Sequence, residues 1–81
     1  MPICRHVLQR FPREAALIAR LVDESEDFCS LCEDYELIVE TLDRLYMKPE
    51  SDKGLIEEYR SFLLELELDI ADALTNALQI E

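Results

Sequence analysis

The sequence predicts an all-α fold: an antiparallel, coiled-coil-like helical hairpin with a short helix in front of it. Apolar residues recur at alternating steps of three and four from Leu17 to Leu45, the spacing of one helical face. A second run with the same spacing follows residue 53. One glycine in 81 residues leaves too few turn residues for an all-β chain. We therefore expect two long helices that lie along each other.

The length and charge of the chain narrow its class. A chain of 81 residues forms one domain with a small core, and 49% apolar residues are too many for a disordered segment. The formal net charge is −11, and eighteen of the nineteen acidic residues lie after residue 20. Such a surface repels phosphate backbones and anionic lipid. We expect no nucleic-acid partner and no membrane partner.

The first predicted helix spans residues 3–10. Its apolar residues share one face, which consists of Ile3, Val7, Leu8 and Phe11. Pro12 ends the helix, because the residue before a proline avoids the helical region. The helix could be a basic amphipathic membrane anchor or a lid over the end of the main core. Its short length and the acidic body behind it favour the lid.

The first long helix is predicted over residues 13–46. Two positions of each seven-residue repeat, the seam positions, face a single partner helix. Apolar residues also occupy a third position beside them, so we expect this helix to contact more than one neighbouring helix. Glu24 is the single charge in the seam. A helix break with Ser25 as a new N-cap is one interpretation of the polar run around it. Because the seven-residue phase continues unchanged through this run, the sequence favours one continuous helix.

The second long helix is predicted over residues 53–78, after a connection at residues 47–53. Pro49 and Gly54 interrupt the helical pattern, and Ser51 is the candidate N-cap. A connection this short makes the flanking helices antiparallel. The seam positions of both helices form the predicted hairpin core: Leu17, Leu21, Phe28, Leu31, Tyr35, Ile38, Leu42, Leu45, Ile56, Tyr59, Leu63, Leu66 and Ile70.

A surplus of apolar residues on the second helix predicts an interface. Leu64, Leu68, Ala71 and Leu78 lie off the seam, and one hairpin cannot cover two faces of the same helix. An exposed apolar strip of this kind is typical of a contact with another subunit or another protein. Two rods on the order of 40–50 Å long also enclose little interior. We expect two hairpins to pair as a homodimer in a four-helix bundle.

The spacing in the first half of the chain resembles the signature of a known family. The matching residues are Phe11-Pro12, Ile18, Leu21, Phe28, Leu31, Asp34-Tyr35, Ile38 and Leu42. They resemble the YdcH-like family of small bacterial proteins, a domain of unknown function, over about His6 to Leu78. The resemblance implies a self-associating helical hairpin in the bacterial cytoplasm, and it carries no activity.

The chain also departs from that family's pattern. Ser25 and Tyr46 stand where the family usually has Asp and Glu. The second helix of the family is typically rich in lysine, whereas residues 63–70 read LLELELDI. A partner that a basic second helix would recruit is therefore not expected for this chain.

The cysteines offer an alternative function. Cys29 and Cys32 have the spacing of a metal or redox motif, and Cys4 with His6 would complete four ligands. Cys29 and Cys32 lie within a regular helix, however, whereas zinc knuckles place cysteines on tight turns. Packing of Cys32 in the core, with Cys29 at its margin, is the preferred interpretation. Three cysteines and no signal peptide indicate free thiols in a reducing cytoplasm.

No pattern in the chain indicates catalysis. A di-iron bundle needs Glu-x-x-His on two helices, but the single histidine, His6, lies outside both long helices. One glycine cannot build a phosphate-binding loop. We expect no enzyme activity, no cofactor and no small-molecule substrate. The predicted function is that of a small cytoplasmic module for protein–protein interaction and oligomerisation; the alternative is a metal-binding or thiol-redox protein that uses Cys29 and Cys32.

Overall fold

The computed structural model describes residues 4–50 and 52–80 and is all-helical over them. Its four α-helices are α1 (Arg5–Arg10), α2 (Ala15–Glu24), α3 (Glu26–Met47) and α4 (Lys53–Ile80). A single 3-10 turn, Pro12–Glu14, joins α1 to α2. The long helices α3 and α4 pack against each other, and α1 and α2 both pack on α3. The predicted all-α class is confirmed.

Helix α1 is the predicted short helix. It ends at Arg10, because Phe11 before the proline has non-helical angles (φ −127°, ψ 64°). The predicted start at residue 3 lies outside the described residues. Val7 is completely buried, and Leu8 and Phe11 pack against the same core cluster. The apolar side of α1 therefore packs on the core, the arrangement that the lid interpretation predicts.

The predicted continuous helix over residues 13–46 is wrong. The chain forms the 3-10 turn first, and the helix is then broken at Ser25, whose backbone is extended (φ −129°, ψ 115°). The Ser25 Oγ accepts a hydrogen bond from the Phe28 N–H at 3.2 Å, so Ser25 is the N-cap of α3. Glu26 and Asp27 add negative charge at the positive end of this helix. The capping residues in the polar run therefore start a new helix, although the spacing of apolar residues continues through it.

The connection between α3 and α4 follows from its proline. Lys48, before Pro49, is extended (φ −101°, ψ 119°), so α3 stops at Met47. The Asp52 carboxylate then accepts a hydrogen bond from the Gly54 N–H at 2.8 Å and caps the first turn of α4. The candidate N-cap Ser51 lies outside the described residues.

The core is concentrated where α1 and α2 cover α3 and α4. Its buried residues are Cys4, Val7, Ile18, Phe28, Cys32, Tyr35, Ile70 and Leu74. Of the predicted hairpin core, Phe28, Tyr35, Leu42 and Ile70 are buried and the other nine residues are half-buried. Ile18 takes the buried position next to Leu17, because α2 is a separate helix with its own rotation about its axis. The long heptad seam is therefore only partly the core.

Two polar groups tie the short helix to the long ones. The Glu36 carboxylate on α3 accepts hydrogen bonds from the backbone N–H groups of His6 and Val7, at 2.9 and 3.0 Å, and lies 2.6 Å from His6 Nδ1. These N–H groups have no acceptor within α1, since they lie in its first turn. Glu36 therefore caps α1 from another helix.

Glu67 on α4 is the second tie. It accepts a hydrogen bond from the Tyr35 hydroxyl at 2.9 Å and pairs with Arg10 Nε at 3.5 Å. Burial, and then this contact with Glu67, raise the pKa of Tyr35 well above its usual value. One carboxylate thus joins α1, α3 and α4.

Candidate functional site

The strip predicted as an interface is an exposed face of α4. We use "leucine strip" for Leu64, Leu68, Ala71 and Leu78. Leu64 is 62% exposed, Leu68 67% and Leu78 56%, and Ala71 is half-buried. The three leucines are thus more than half exposed, whereas Ile70 and Leu74 on another face of the same helix are buried. The strip is an uncovered apolar surface.

The strip has the spacing of a helix-packing seam. With Ser61 before them and Thr75 between the last two, its positions recur at steps of three and four: Ser61, Leu64, Leu68, Ala71, Thr75 and Leu78. All six are uncharged, on a helix that carries acidic residues on its other faces. A small residue near the middle, Ala71, lets a second helix approach closely. At its far end, Leu78 borders a cleft of about 520 Å³ shared with Leu17 and Arg20 of α2.

A second apolar surface lies between α3 and α4, on the side that α1 and α2 leave open. This α3–α4 groove has a volume of about 300 Å³ and is lined by Asp34, Leu37, Ile38, Tyr59, Phe62, Glu65, Leu66 and Asp69. Leu37 is 57% exposed and Phe62 47% exposed. The rings of Tyr59 and Phe62 lie 6.4 Å apart and are tilted by 57°.

The sequence interpretation missed the α3–α4 groove. It assigned Ile38, Tyr59 and Leu66 to the hairpin core and gave no role to Leu37 or Phe62. A signal was present: in each helix one large apolar residue comes directly before a seam residue, Leu37 before Ile38 and Phe62 before Leu63. Each such pair widens the apolar stripe toward one flank. Where both helices widen on the same flank, a groove results.

The cysteines lie in and beside the core, and Cys4 and Cys29 border a cleft of about 530 Å³ between α1, α2 and α3. Cys32 is completely buried and Cys4 is 8% exposed, while Cys29 is half-buried. Burial is the main cause that raises the pKa of both Cys4 and Cys32. A hydrogen bond to Glu33, with Sγ–Oε1 at 3.3 Å, raises the pKa of Cys29. A raised pKa lowers the thiolate fraction, which disfavours both nucleophilic and metal-binding roles.

Two further properties concern the described part of the chain. Within residues 4–50 and 52–80, no three His, Cys, Asp or Glu side chains are grouped so that they could hold a metal ion. None of the helices in these ranges combines the length with the hydropathy that a membrane span requires. The leucine strip and the α3–α4 groove are the candidate sites, because both expose large apolar side chains.

Comparison with protein-family models, with curated proteins and with solved structures finds no match to this chain.

Proposed function

We infer that the protein is a small helical module for self-association, in which two antiparallel hairpins of α3 and α4 pair through the leucine strip. The exposure of Leu64 and Leu68, at 62% and 67%, carries this proposal. Each leucine that leaves water on association contributes about 1.5–3 kcal/mol. Two copies of one strip, with four apolar residues each, supply the central apolar contact that a dimer interface needs.

The shape of the chain supports the same proposal. Its dimensions are 48 × 23 × 21 Å, and its radius of gyration of 13.8 Å exceeds the value of about 12 Å for a compact chain of this length. An elongated body has little interior for its many apolar residues. A four-helix bundle made of two hairpins provides that interior. Self-association is also what the resemblance to the YdcH-like family implies.

The proposed setting is a reducing cytoplasm, where the module would act by binding protein and would have no enzyme activity. All three cysteines are free thiols, which suits that compartment. The thiol-redox and metal-binding alternative gains no support from Cys29 and Cys32, because one is buried and both have a raised pKa.

Glutamate on the strip tests the proposal. The wild-type protein is expected to have a mass twice the 9.5 kDa of one chain by light scattering at low micromolar concentration. The double change Leu64→Glu with Leu68→Glu buries four charges in the proposed dimer and should yield a monomer. Its helix content by circular dichroism should stay close to wild type, because both side chains are exposed in the single chain.

The matched control adds the same two charges at a different exposed apolar site. Tyr46 and Met47 are 58% and 84% exposed at the end of α3. Tyr46→Glu with Met47→Glu should leave the mass of the dimer unchanged. A wild-type protein that is a folded monomer would overturn the proposal, and so would a strip variant that associates as the wild type does.

A further inference from the structure

The α3–α4 groove combines an apolar floor with an acidic rim. Leu37 and Phe62 are the exposed parts of the floor, and Ile38 and Leu66 lie half-buried beneath them. Its rim is formed by three exposed carboxylates: Asp34, Glu65 and Asp69. None of the described residues that line the groove is basic. The groove therefore offers apolar contact in the middle and negative charge along its sides.

The groove and the leucine strip lie on opposite flanks of α4. Phe62 and Leu64 are two residues apart, which is about 200° around a helix. The same separation holds between Leu66 and Leu68. A second copy that packs on the strip leaves the groove open, so the groove needs an occupant of its own.

We propose that the α3–α4 groove binds one amphipathic helix of a different protein, with an apolar face and lysine or arginine along both of its flanks. A groove between two packed helices has the shape that accepts a third helix. Helices bind in such grooves through apolar residues at positions i, i+3 or i+4, and i+7. Basic flanks would then face Asp34 on α3 and Asp69 on α4, which adds attraction and sets the orientation of the bound helix.

Charge argues against a second copy of this chain as the occupant. Groove against groove would bring two sets of three carboxylates together, and like charges across an interface are costly. The basic helix of a second copy, α1, is not available either. Its apolar residue Val7 is completely buried in its own core, and its N-terminal amide groups are held by Glu36. The occupant is therefore a separate chain.

A pair of synthetic helices tests the proposal. The probe is a peptide of about 18 residues with leucine at the first and fourth positions of each heptad and lysine at the flanking positions. Its match carries glutamate in place of every lysine. Fluorescence anisotropy should show that the lysine peptide binds the full chain and that the glutamate peptide binds at least about tenfold more weakly. Raising the salt concentration should weaken binding of the lysine peptide.

Variants of the groove identify the binding site. Phe62→Ala should weaken binding about tenfold, since an exposed aromatic anchor is a typical hot spot. Asp34→Asn with Asp69→Asn should weaken binding and reduce its dependence on salt. Amide chemical shifts of Leu37, Phe62 and Leu66 should change on binding. The strip variant Leu64→Glu with Leu68→Glu should bind the peptide like wild type, which separates this inference from the proposed function.

Four results would overturn the proposal. The first is a wild-type chain that binds neither peptide. A second is equal binding of the lysine peptide by wild type and by Phe62→Ala, because that indicates general attraction to an acidic surface. The third is a set of shift changes on the leucine strip or spread over all acidic faces. Groove shifts that appear on concentrating the protein alone would identify a second copy as the occupant, and would also overturn it.

Discussion

The two ends of the long helix pair differ in how well they are covered. At one end α1 and α2 lie on α3, and Val7, Ile18, Cys32 and Ile70 are at most 1% exposed. At the loop end α3 and α4 have only each other. Leu42 is the one buried apolar residue of the described chain outside the main cluster. Large apolar residues are exposed there: Tyr46, Met47, Leu55 and Phe62.

This difference shows that the number of neighbouring helices determines how far an apolar side chain is buried in this fold. Ile56 and Ile70 are fourteen residues apart, two full heptads, and so occupy the same face of α4. Ile70 is completely buried, whereas Ile56 at the loop end is half-buried. An equivalent position in the sequence pattern thus gives two different environments. The covered end therefore buries most of the core, and the loop end leaves large apolar side chains exposed.

Ile70→Ala and Ile56→Ala test whether the covered end is packed more tightly than the loop end. Because Ile70 is fully enclosed, its truncation leaves a cavity and should lower the free energy of unfolding by about 4 kcal/mol. Ile56→Ala removes the same atoms from a half-covered site and should cost about 1 kcal/mol. Urea denaturation followed by circular dichroism measures both. Equal losses would show that the loop end is as well packed as the covered end.

Glu36→Gln should weaken the attachment of α1 to α3 at the covered end. Both backbone amides donate to the same oxygen of the Glu36 carboxylate, and the other oxygen lies beside His6 Nδ1. Glutamine can keep its carbonyl in the first position, but a neutral carbonyl is a weaker acceptor than a carboxylate, so the charge-assisted part of both hydrogen bonds is lost. We expect a loss of about 2 kcal/mol in the free energy of unfolding. Hydrogen exchange at those two amides should accelerate, while exchange in the middle of α4 should change less. Glu40→Gln, on an exposed part of α3, is the control and should leave both unchanged.

Tyr35→Phe should have the smallest effect and a characteristic pH dependence. Loss of the hydrogen bond to Glu67 should cost about 1 kcal/mol at neutral pH. The folded-state pKa of Tyr35 is raised above the unfolded value of about 10, so its contribution is complete below pH 10 and is lost as the pH rises further. Stability of wild type should therefore fall more steeply above pH 10 than that of the variant.

The thiols do not obscure this test. Burial raises the pKa of Cys4 and Cys32, so both proteins should lose stability in the same way as the pH rises above about 8.5. Only the difference between wild type and Tyr35→Phe reports on the tyrosine. Identical slopes above pH 10 would contradict the assigned role of its hydroxyl.

Hydrophobic period and proline positions were sufficient to predict much of the fold. Local pattern predicts helical structure on both sides of the connection at Pro49, and it predicts a short helix that ends before Pro12. The break at Ser25 does not follow from this pattern, because one extended residue leaves the spacing of apolar residues unchanged on either side. Only the capping chemistry of the polar run indicated it.

Of the two exposed apolar surfaces, only the one formed by a single helix could be predicted from the sequence. The leucine strip is visible in the sequence because it repeats along one helix. Glu36 and Glu67 carry no local signal, since their partners lie on other helices and about 30 residues away in the chain. The α3–α4 groove could not be predicted either, because Leu37 and Phe62 line the same groove only when α3 and α4 pack in the observed register.

The cap that Glu36 provides also fixes an order of events during synthesis of the chain. Helix α1 has six residues, well below the length of about 12–15 at which an isolated helix persists in water. Helix α1 is made before the other described helices, yet the carboxylate that satisfies its amides comes 29 residues after Val7. The cluster that buries Val7 also includes Ile70 and Leu74, which come later still. Of the four described helices, the earliest to be made is therefore the one that depends on residues made later.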